Sequence, residues 1–153
     1  WVLMHMPHPV GEMQYSERTE AMASDVEGGL EQVATALQRS VDRACAAGVS
    51  RSQLAIDPGI GFGKSLRQNL AFLRAITPVD RLDLPVFIGP SRKSFIGAIT
   101  GEDAGARLMG TAAAVTAAVL AGAVFVRVHD VAEMRQVVDV AWAIRQSGDS
   151  RPE

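Results

Sequence analysis

Four clusters of polar residues each follow a short apolar run of the chain. The first begins at His5, the second at Asp57, the third spans Ser91–Ser94, and the fourth pairs Arg127 with His129. A carboxylate accepts hydrogen bonds from ring N–H groups, an ammonium donates to a carbonyl, and a guanidinium binds phosphate. Such groups at the ends of successive apolar runs indicate a polar ligand-binding site.

The second cluster has the most informative pattern, LAIDPGIGFGKSL, at positions 54–66. Asp57 ends a predicted strand and precedes a Pro-Gly turn, and glycines at alternate positions let the backbone approach a ligand closely. A lysine and a serine then open a predicted helix, whose N-terminus favours anions. The pattern is close to a nucleotide-binding P-loop, but that motif requires glycine at position 58, where proline stands.

The elements that position these clusters alternate between strand and helix. Short apolar runs predict strands at 2–4, 54–57, 85–89 and 124–129. Helical periodicity predicts helices at about 24–47, 66–76, 107–121 and 131–145, with a short helix after position 94. Short apolar strands of this kind are typical of parallel sheets that helices cover on both faces, with the site at the carboxyl ends of the strands. We therefore predict one α/β unit over 1–146 and a polar tail over 147–153.

The fourth strand is predicted to divide its side chains between two faces. Phe125, Arg127 and His129 share one face, because alternate residues of a strand point the same way. We expect that face to carry the site, where a guanidinium binds phosphate and stacks on a flat ring. The opposite face is predicted to contact the helices through Val124, Val126 and Val128.

Composition excludes several classes of protein. The 153 residues are 48% hydrophobic and 21% charged, which is enough apolar material for one compact unit. A net charge of -2 argues against sequence-independent nucleic-acid binding. The single cysteine, Cys45, excludes an internal disulfide and favours a reducing compartment, the cytoplasm. The uncharged run at 108–126 is as long as a membrane span, but its alanines and Gly122 favour a buried helix followed by a strand, and no membrane partner is expected.

Four ordered motifs resemble the dihydropteroate synthases, the sulfonamide-sensitive family of folate biosynthesis. They are HM…MQ after the first run, DPGIGFGK after the second, GPSRKSFIG after the third and RVHD at the fourth. The resemblance implies a (β/α)8 TIM barrel, of which this chain is the C-terminal half, units five to eight, since a whole barrel takes roughly 250 residues. It also implies condensation of 7,8-dihydropterin-6-ylmethyl diphosphate with 4-aminobenzoate. Mg2+ assists in that family, and its ligands are expected outside this chain.

The resemblance assigns roles that agree with the chemistry of the side chains. Asp57 accepts hydrogen bonds from the pterin ring, and Lys93 donates to the ring carbonyl. Arg127 stacks on the pterin, and Arg127 and His129 hold the diphosphate. The remaining substrate-binding residues are expected to be Met4, Gly61, Phe62 and Ser94, with His5 and Arg92 as secondary candidates.

Alternatives remain at the level of residues and of the whole chain. Asp57 is equally explained as a turn cap before Pro58, and Phe62 as a core aromatic. A corrinoid-linked methyltetrahydrofolate methyltransferase shares the pterin-binding barrel, and a catalytically incomplete half-barrel is the non-enzymatic reading. Because a lone half-barrel exposes unpaired strand edges, we expect a homodimer or a missing first half, and an inactive fragment on its own. The apolar run that opens at Trp1 also predicts a piece of a longer polypeptide.

Overall fold

Strands and helices alternate along the chain in the computed structural model, which describes residues 1–7 and 26–147. The strands are β1 (Val2–Met4), β2 (Ala55–Asp57), β3 (Phe87–Ile88) and β4 (Phe125–Val126). The helices are α1 (Val26–Ala46), α2 (Leu66–Arg74), α3 (Thr77–Asp80), α4 (Ser94–Thr100), α5 (Leu108–Ala121) and α6 (Val131–Ser147). The predicted α/β class is confirmed, with β3 and β4 shorter than predicted and with α3 as an additional short helix. Most of the predicted tail, from position 148 onward, lies outside the described residues.

The four strands are parallel and follow one another in chain order. β1 pairs with β2, with Met4 opposite Asp57, and β3 pairs with β4. A bridge between Ile56 and Val86 joins the two pairs. Parallel neighbours bring all four carboxyl ends to one edge of the sheet, and this edge carries the four polar clusters.

The predicted burial on both faces is confirmed for β2 and is wrong for the outer strands. All three residues of β2 are buried, whereas Val2 in β1 and Phe125 in β4 are each 50% exposed. Among the described residues, β1 and β4 each have a strand on one side only, so part of their surface is uncovered. Val126 and Val128 pack against α5 and α6 as predicted. The prediction for Val124 is wrong, because it precedes the β4 ladder and is 61% exposed.

One buried stripe of α1 forms the largest helical contribution to the main core. Its buried residues recur at helical spacing, at Val33, Ala34, Leu37 and Val41, and they face the sheet. A second core cluster lies between α5 and α6. The sheet is thus covered by helices, which leaves its carboxyl edge as the place where polar side chains gather.

The helix α2 buries a different face from the one that its leucines predict. The sequence pattern predicts Leu66, Leu70 and Leu73 on the buried face, but Leu66 and Leu70 are 39% and 40% exposed. The buried residues are Asn69, Phe72 and Leu73. The prediction is wrong because Phe72 fills the core and Asn69 bonds to the loop before the helix, and these contacts fix the rotation.

The end of helix α5 is set by a glycine. It stops at Gly122, whose φ of 114° is a conformation that other residues rarely adopt. Within residues 1–7 and 26–147, no helix is both long and apolar enough to cross a membrane. The prediction of a buried helix followed by a strand is confirmed.

Candidate active site

Three charged side chains from different strand ends interact at the carboxyl edge of the sheet. Asp57 ends β2 and is 7% exposed, Lys93 precedes α4, and Arg127 follows β4. Burial lowers the pKa of Lys93 to about 8, while the Asp57 charge raises it and the Arg127 charge lowers it. The structure therefore brings together three of the four predicted catalytic side chains.

The glycine loop that follows Asp57 provides the path that the Lys93 side chain takes. Gly61 has a φ of 79°, and a Cβ there would collide with Lys93 Cδ. The Lys93 ammonium donates to the Ile60 carbonyl and lies 3.9 Å from the centre of the Phe62 ring. Glycine at position 61 is thus required because the lysine side chain crosses the loop there.

Asp57 both caps a turn and interacts with charged side chains, two roles that the sequence left as alternatives. Its Oδ1 accepts the backbone N–H of Gly59 at 2.7 Å, which is the predicted turn cap. Burial raises the pKa of Asp57, whereas the Gly59 hydrogen bond and the charges of Lys93 and Lys64 lower it. The cap and the electrostatic coupling coexist, because one carboxylate oxygen serves the turn while the group faces two lysines.

Lys64 lies beside Asp57 in the glycine loop, although the sequence pattern indicates only that it begins a helix. It is 5% exposed, and its Nζ bonds to the carbonyls of Gly59 at 3.0 Å and Phe62 at 3.2 Å and to His5 Nδ1 at 3.1 Å. Burial lowers the pKa of Lys64 to about 7, and burial followed by the Lys64 charge lowers the pKa of His5 to about 4. The sequence held a usable signal, since Lys64 and Lys93 are the only two lysines among 153 residues.

The side-chain amide of Asn69 on α2 supports the glycine loop, a role that the sequence pattern did not predict. Its Oδ1 accepts the Gly61 N–H at 2.7 Å, and its Nδ2 donates to the carbonyls of Lys64 at 3.3 Å and Ser65 at 2.9 Å. The side chain is buried, with 2% exposed. One side-chain amide thus fixes both Gly61, which Lys93 crosses, and the start of α2.

Replacement of Asn69 by leucine is expected to lower the free energy of unfolding by about 2–4 kcal/mol, because it removes three hydrogen bonds in a buried place. Urea denaturation at pH 7 measures the change. The control is Gln32→Leu on the exposed face of α1, which we expect to alter stability by less than about 0.5 kcal/mol. Equal denaturation midpoints for the two variants would show that the amide does not support the loop.

His129 is held by a buried serine from the neighbouring strand end. Ser91 Oγ lies 2.9 Å from His129 Nδ1 and also accepts the His129 backbone N–H at 3.2 Å. Ser91 is 6% exposed, and the N–H of Arg127 donates to the Ile88 carbonyl at 3.0 Å. Because Nδ1 is engaged by Ser91, Nε2 is the ring nitrogen available to a ligand.

The two remaining predicted residues lie in different surroundings. Ser94 directly follows Lys93 at the start of α4 and is half-buried. Met4 is 40% exposed and lines a groove of about 750 Å³ beside Arg39 on α1. That groove does not include Asp57 or Lys93, although Met4 lies opposite Asp57 in the ladder between β1 and β2.

The family model for pterin binding enzymes matches residues 1–129. The chain belongs to this pterin-binding family. The dihydropteroate synthase of Synechocystis sp. is 47% identical over 105 residues, which cover 68% of this chain and 36% of the relative. That of Neisseria meningitidis serogroup C is 41% identical over 131 residues, which cover 84% of this chain and 44% of the relative.

Solved structures of the same family match the fold of this pterin-binding chain. The dihydropteroate synthase of Coxiella burnetii in complex with pteroic acid has a TM-score of 0.84 at 33% identity. That of Yersinia pestis with a sulfonamide drug complex has a TM-score of 0.83 at 32% identity. Each match covers 95% of this chain and 51% of the solved chain. The pterin-binding chain thus has an α/β fold that spans about half of a TIM-barrel synthase.

The described residues of the pterin-binding chain do not fit a Mg2+ site. Residues 1–7 and 26–147 contain no group of three or more His, Cys, Asp or Glu side chains that could hold a metal ion. At the charged cluster, Asp57 is coupled to Lys64 and Lys93, and their charges oppose a divalent cation. The expected ion stays a prediction with ligands elsewhere, and the motif residues Met13 and Gln14 likewise lie outside the described part of the chain.

Proposed function

We propose that this chain supplies half of the active site of a dihydropteroate synthase. The reaction joins 7,8-dihydropterin-6-ylmethyl diphosphate, hereafter the pterin diphosphate, to 4-aminobenzoate and releases diphosphate. The observation that carries the proposal is Lys93, whose side chain crosses Gly61 and interacts electrostatically with Asp57 and Arg127. We further infer that the four strand-helix units are units five to eight of the barrel.

Asp57 and Lys93 suit the polar edge of a pterin ring. The ring presents N–H donors beside a carbonyl, so a carboxylate accepts from the former while an ammonium donates to the latter. The two groups are coupled electrostatically and lie at a buried strand end, where charged hydrogen bonds are stronger than in water. Gly61 and Phe62 would line the same pocket, because Lys93 contacts both.

Arg127 and His129 suit the diphosphate. A guanidinium binds phosphate oxygens through two parallel N–H groups and stacks on a flat ring, so Arg127 serves both parts of the substrate. His129 offers Nε2, because Ser91 engages its Nδ1. Ser94 follows Lys93 and would place its hydroxyl toward the aminobenzoate carboxylate.

The chemistry requires positioning and charge stabilisation from these residues. The C–O bond to the diphosphate breaks with its electron pair on the leaving oxygen, and the methylene cation is delocalised into the reduced pterin. The neutral amine nitrogen of aminobenzoate then forms the C–N bond and releases a proton to solvent. Cationic groups that bind the leaving diphosphate, and groups that orient the ring, lower the barrier to this transfer.

The outer strand edges support the need for a second half. Val2 in β1 and Phe125 in β4 are half-exposed, and neither strand has an outer neighbour among the described residues. Parallel edges of this kind associate with further strands. The partner is the first half of a barrel, in the same polypeptide or in a second one. A homodimer and a cytoplasmic location stay predictions.

The proposal is tested with a hybrid barrel, in which the first half of the Neisseria meningitidis synthase precedes this chain. We expect the hybrid to form 7,8-dihydropteroate from the two substrates, and the 153-residue chain alone to show no activity above background. Circular dichroism confirms folding in both cases. A folded hybrid that does not bind the pterin diphosphate would contradict the proposal, and methyl transfer from methyltetrahydrofolate to a corrinoid would support the alternative enzyme class.

A further inference from the structure

Arg92 adopts a backbone conformation that is unusual for a residue with a side chain. Its φ is 57°, in the left-handed region, where a Cβ is crowded by the backbone. The residue stands directly before Lys93, and the two side chains diverge. Arg92 pairs with Asp130, whereas Lys93 reaches the Ile60 carbonyl. The left-handed conformation of Arg92 therefore directs the neighbouring side chains of Arg92 and Lys93 to different partners.

Three side chains from other elements hold this conformation. Thr111 Oγ1 on α5 accepts the Arg92 backbone N–H at 3.0 Å, and Arg107 Nη1 donates to the Arg92 carbonyl at 3.0 Å. The Arg92 guanidinium makes a two-pronged ion pair with Asp130, with Nε 3.0 Å from Oδ2. Both backbone groups and the side chain of Arg92 are therefore fixed, which is how a strained residue persists.

The same contacts join two loops of the candidate site. Asp130 directly follows His129, and Ser91 directly precedes Arg92. The Arg92–Asp130 pair and the Ser91–His129 hydrogen bond thus run side by side between the strand ends of β3 and β4. These contacts fix the position of the loop that carries Lys93 relative to the loop that carries Arg127 and His129, the proposed diphosphate-binding groups.

Packing alone does not explain the hydroxyl of Thr111. The side chain has 0% of its surface exposed, on a helix face whose other buried residues are alanines and valines. Valine has nearly the same shape as threonine and would fill the same space. The hydroxyl is required only as the acceptor for the Arg92 N–H.

We propose that Thr111 and Asp130 are positioning residues of the synthase: by holding Arg92 in the left-handed conformation, they place the Lys93 ammonium over Gly61 where the pterin carbonyl binds. The contacts that define this role are those of the two residues with Arg92, and no contact with the substrate is proposed for either. The proposal rests on the proposed function for its effect on pterin binding, but the placement of Lys93 is measurable without any ligand.

The first test uses the two lysines as probes in the full 153-residue chain. Labelling with ¹³C-lysine gives two side-chain signals, and we expect the Lys93 signal to titrate near pH 8, well below the ordinary pKa of 10.5. In Thr111→Val the pKa of Lys93 is expected to rise by more than about one unit, because the side chain leaves its partly buried place. Thr111→Ser, which keeps the hydroxyl, and Thr116→Val on the same helix retain the original midpoint. The Lys64 signal is expected to move less than that of Lys93, because the Lys93 charge is the smallest of the three causes that shift the pKa of Lys64.

The second test uses the hybrid barrel and compares two aspartates that each pair with an arginine, the partly buried Asp130 and the exposed Asp139. Asp130→Asn is expected to weaken binding of the pterin diphosphate by about 10- to 100-fold, because a misplaced group costs that much in a preorganised site. Asp139→Asn removes a similar Arg–Asp pair on α6, with Arg135, and is expected to stay within about twofold of the parent. The KM for 4-aminobenzoate should change less than the KM for the pterin diphosphate.

The outcomes separate this proposal from the proposed function. A parent hybrid that fails to bind the pterin diphosphate would contradict the function, while the lysine titration would still decide the placement of Lys93. An unchanged Lys93 midpoint in folded Thr111→Val overturns the positioning role. If Thr111→Val does not fold, Asp130→Asn decides in both tests, because the Asp130 side chain is only partly buried and asparagine has nearly the same shape. A Lys93 midpoint and a pterin affinity equal to those of Asp139→Asn overturn the role.

Discussion

Replacement of Lys93 by methionine is expected to lower kcat/KM of the hybrid barrel for the pterin diphosphate by about 10²- to 10³-fold, the usual cost of removing one donor from a preorganised site. Methionine lacks the terminal nitrogen but keeps an unbranched apolar side chain of otherwise equal length, so that the contact across Gly61 is retained. The ammonium and its hydrogen bond are lost. Steady-state kinetics with varied pterin diphosphate measure the effect.

Two further variants show whether the loss comes from the placement of the charge. Lys93→Arg keeps the charge but carries a planar guanidinium, which does not fit the narrow path over Gly61, so we expect a loss of at least about tenfold. Arg74→Met removes an exposed charge at the end of α2 and is expected to leave kcat/KM within about twofold. If Lys93→Met behaves like Arg74→Met, Lys93 is not part of the binding site.

Replacement of Asp57 by asparagine is expected to raise the dissociation constant of the pterin diphosphate by about 10²- to 10⁴-fold, because two hydrogen bonds to a charged acceptor are weakened. The amide oxygen still accepts the Gly59 N–H, so the turn is retained. The same change removes the charge that raises the pKa values of Lys64 and Lys93, and both are expected to fall. Isothermal titration calorimetry measures the affinity, and ¹³C NMR of the lysines measures the pKa values.

Asp42→Asn is the matched control for Asp57→Asn. Asp42 is exposed on α1, where it accepts a hydrogen bond from Gln38, and it is not among the charges that shift the pKa of Asp57, Lys64 or Lys93. Its replacement is expected to change neither the pterin affinity nor the lysine titrations. Pterin binding in Asp57→Asn as tight as in Asp42→Asn would leave the turn cap as the whole role of Asp57.

The P-loop alternative is disfavoured by the position of its lysine as well as by the sequence. In a P-loop the lysine side chain reaches the phosphates of the nucleotide. Here Lys64 is 5% exposed and turns back to the carbonyls of Gly59 and Phe62 and to His5. The lysine of the GKS sequence therefore supports the loop from within.

The sequence predicted well those features that local patterns determine. Strand and helix positions follow from apolar runs and helical periodicity, and Gly122 ends α5 where the pattern places it. Because parallel strands share one carboxyl edge, the grouping of Asp57, Lys93 and Arg127 followed from their places after the strands.

The features that the sequence did not predict depend on contacts between distant residues. Asn69 and Thr111 are polar residues inside helices, and only their partners in distant loops show what they do. The direction of Arg92 away from the site depends on Asp130, 38 positions later. The exposure of β1 and β4 arises because each has a neighbouring strand on one side only among the described residues, and a local pattern contains no information on strand neighbours.

The most direct measurement of whether these strand ends form one pterin site is a titration of the ¹³C-lysine-labelled hybrid barrel with the pterin diphosphate. The Lys93 signal is predicted to shift until saturation, with its pKa rising above about 8, because the ring carbonyl and the diphosphate favour the charged amine. A Lys93 signal that keeps its position and its titration midpoint at saturating pterin diphosphate would contradict a shared site at Asp57, Lys93 and Arg127.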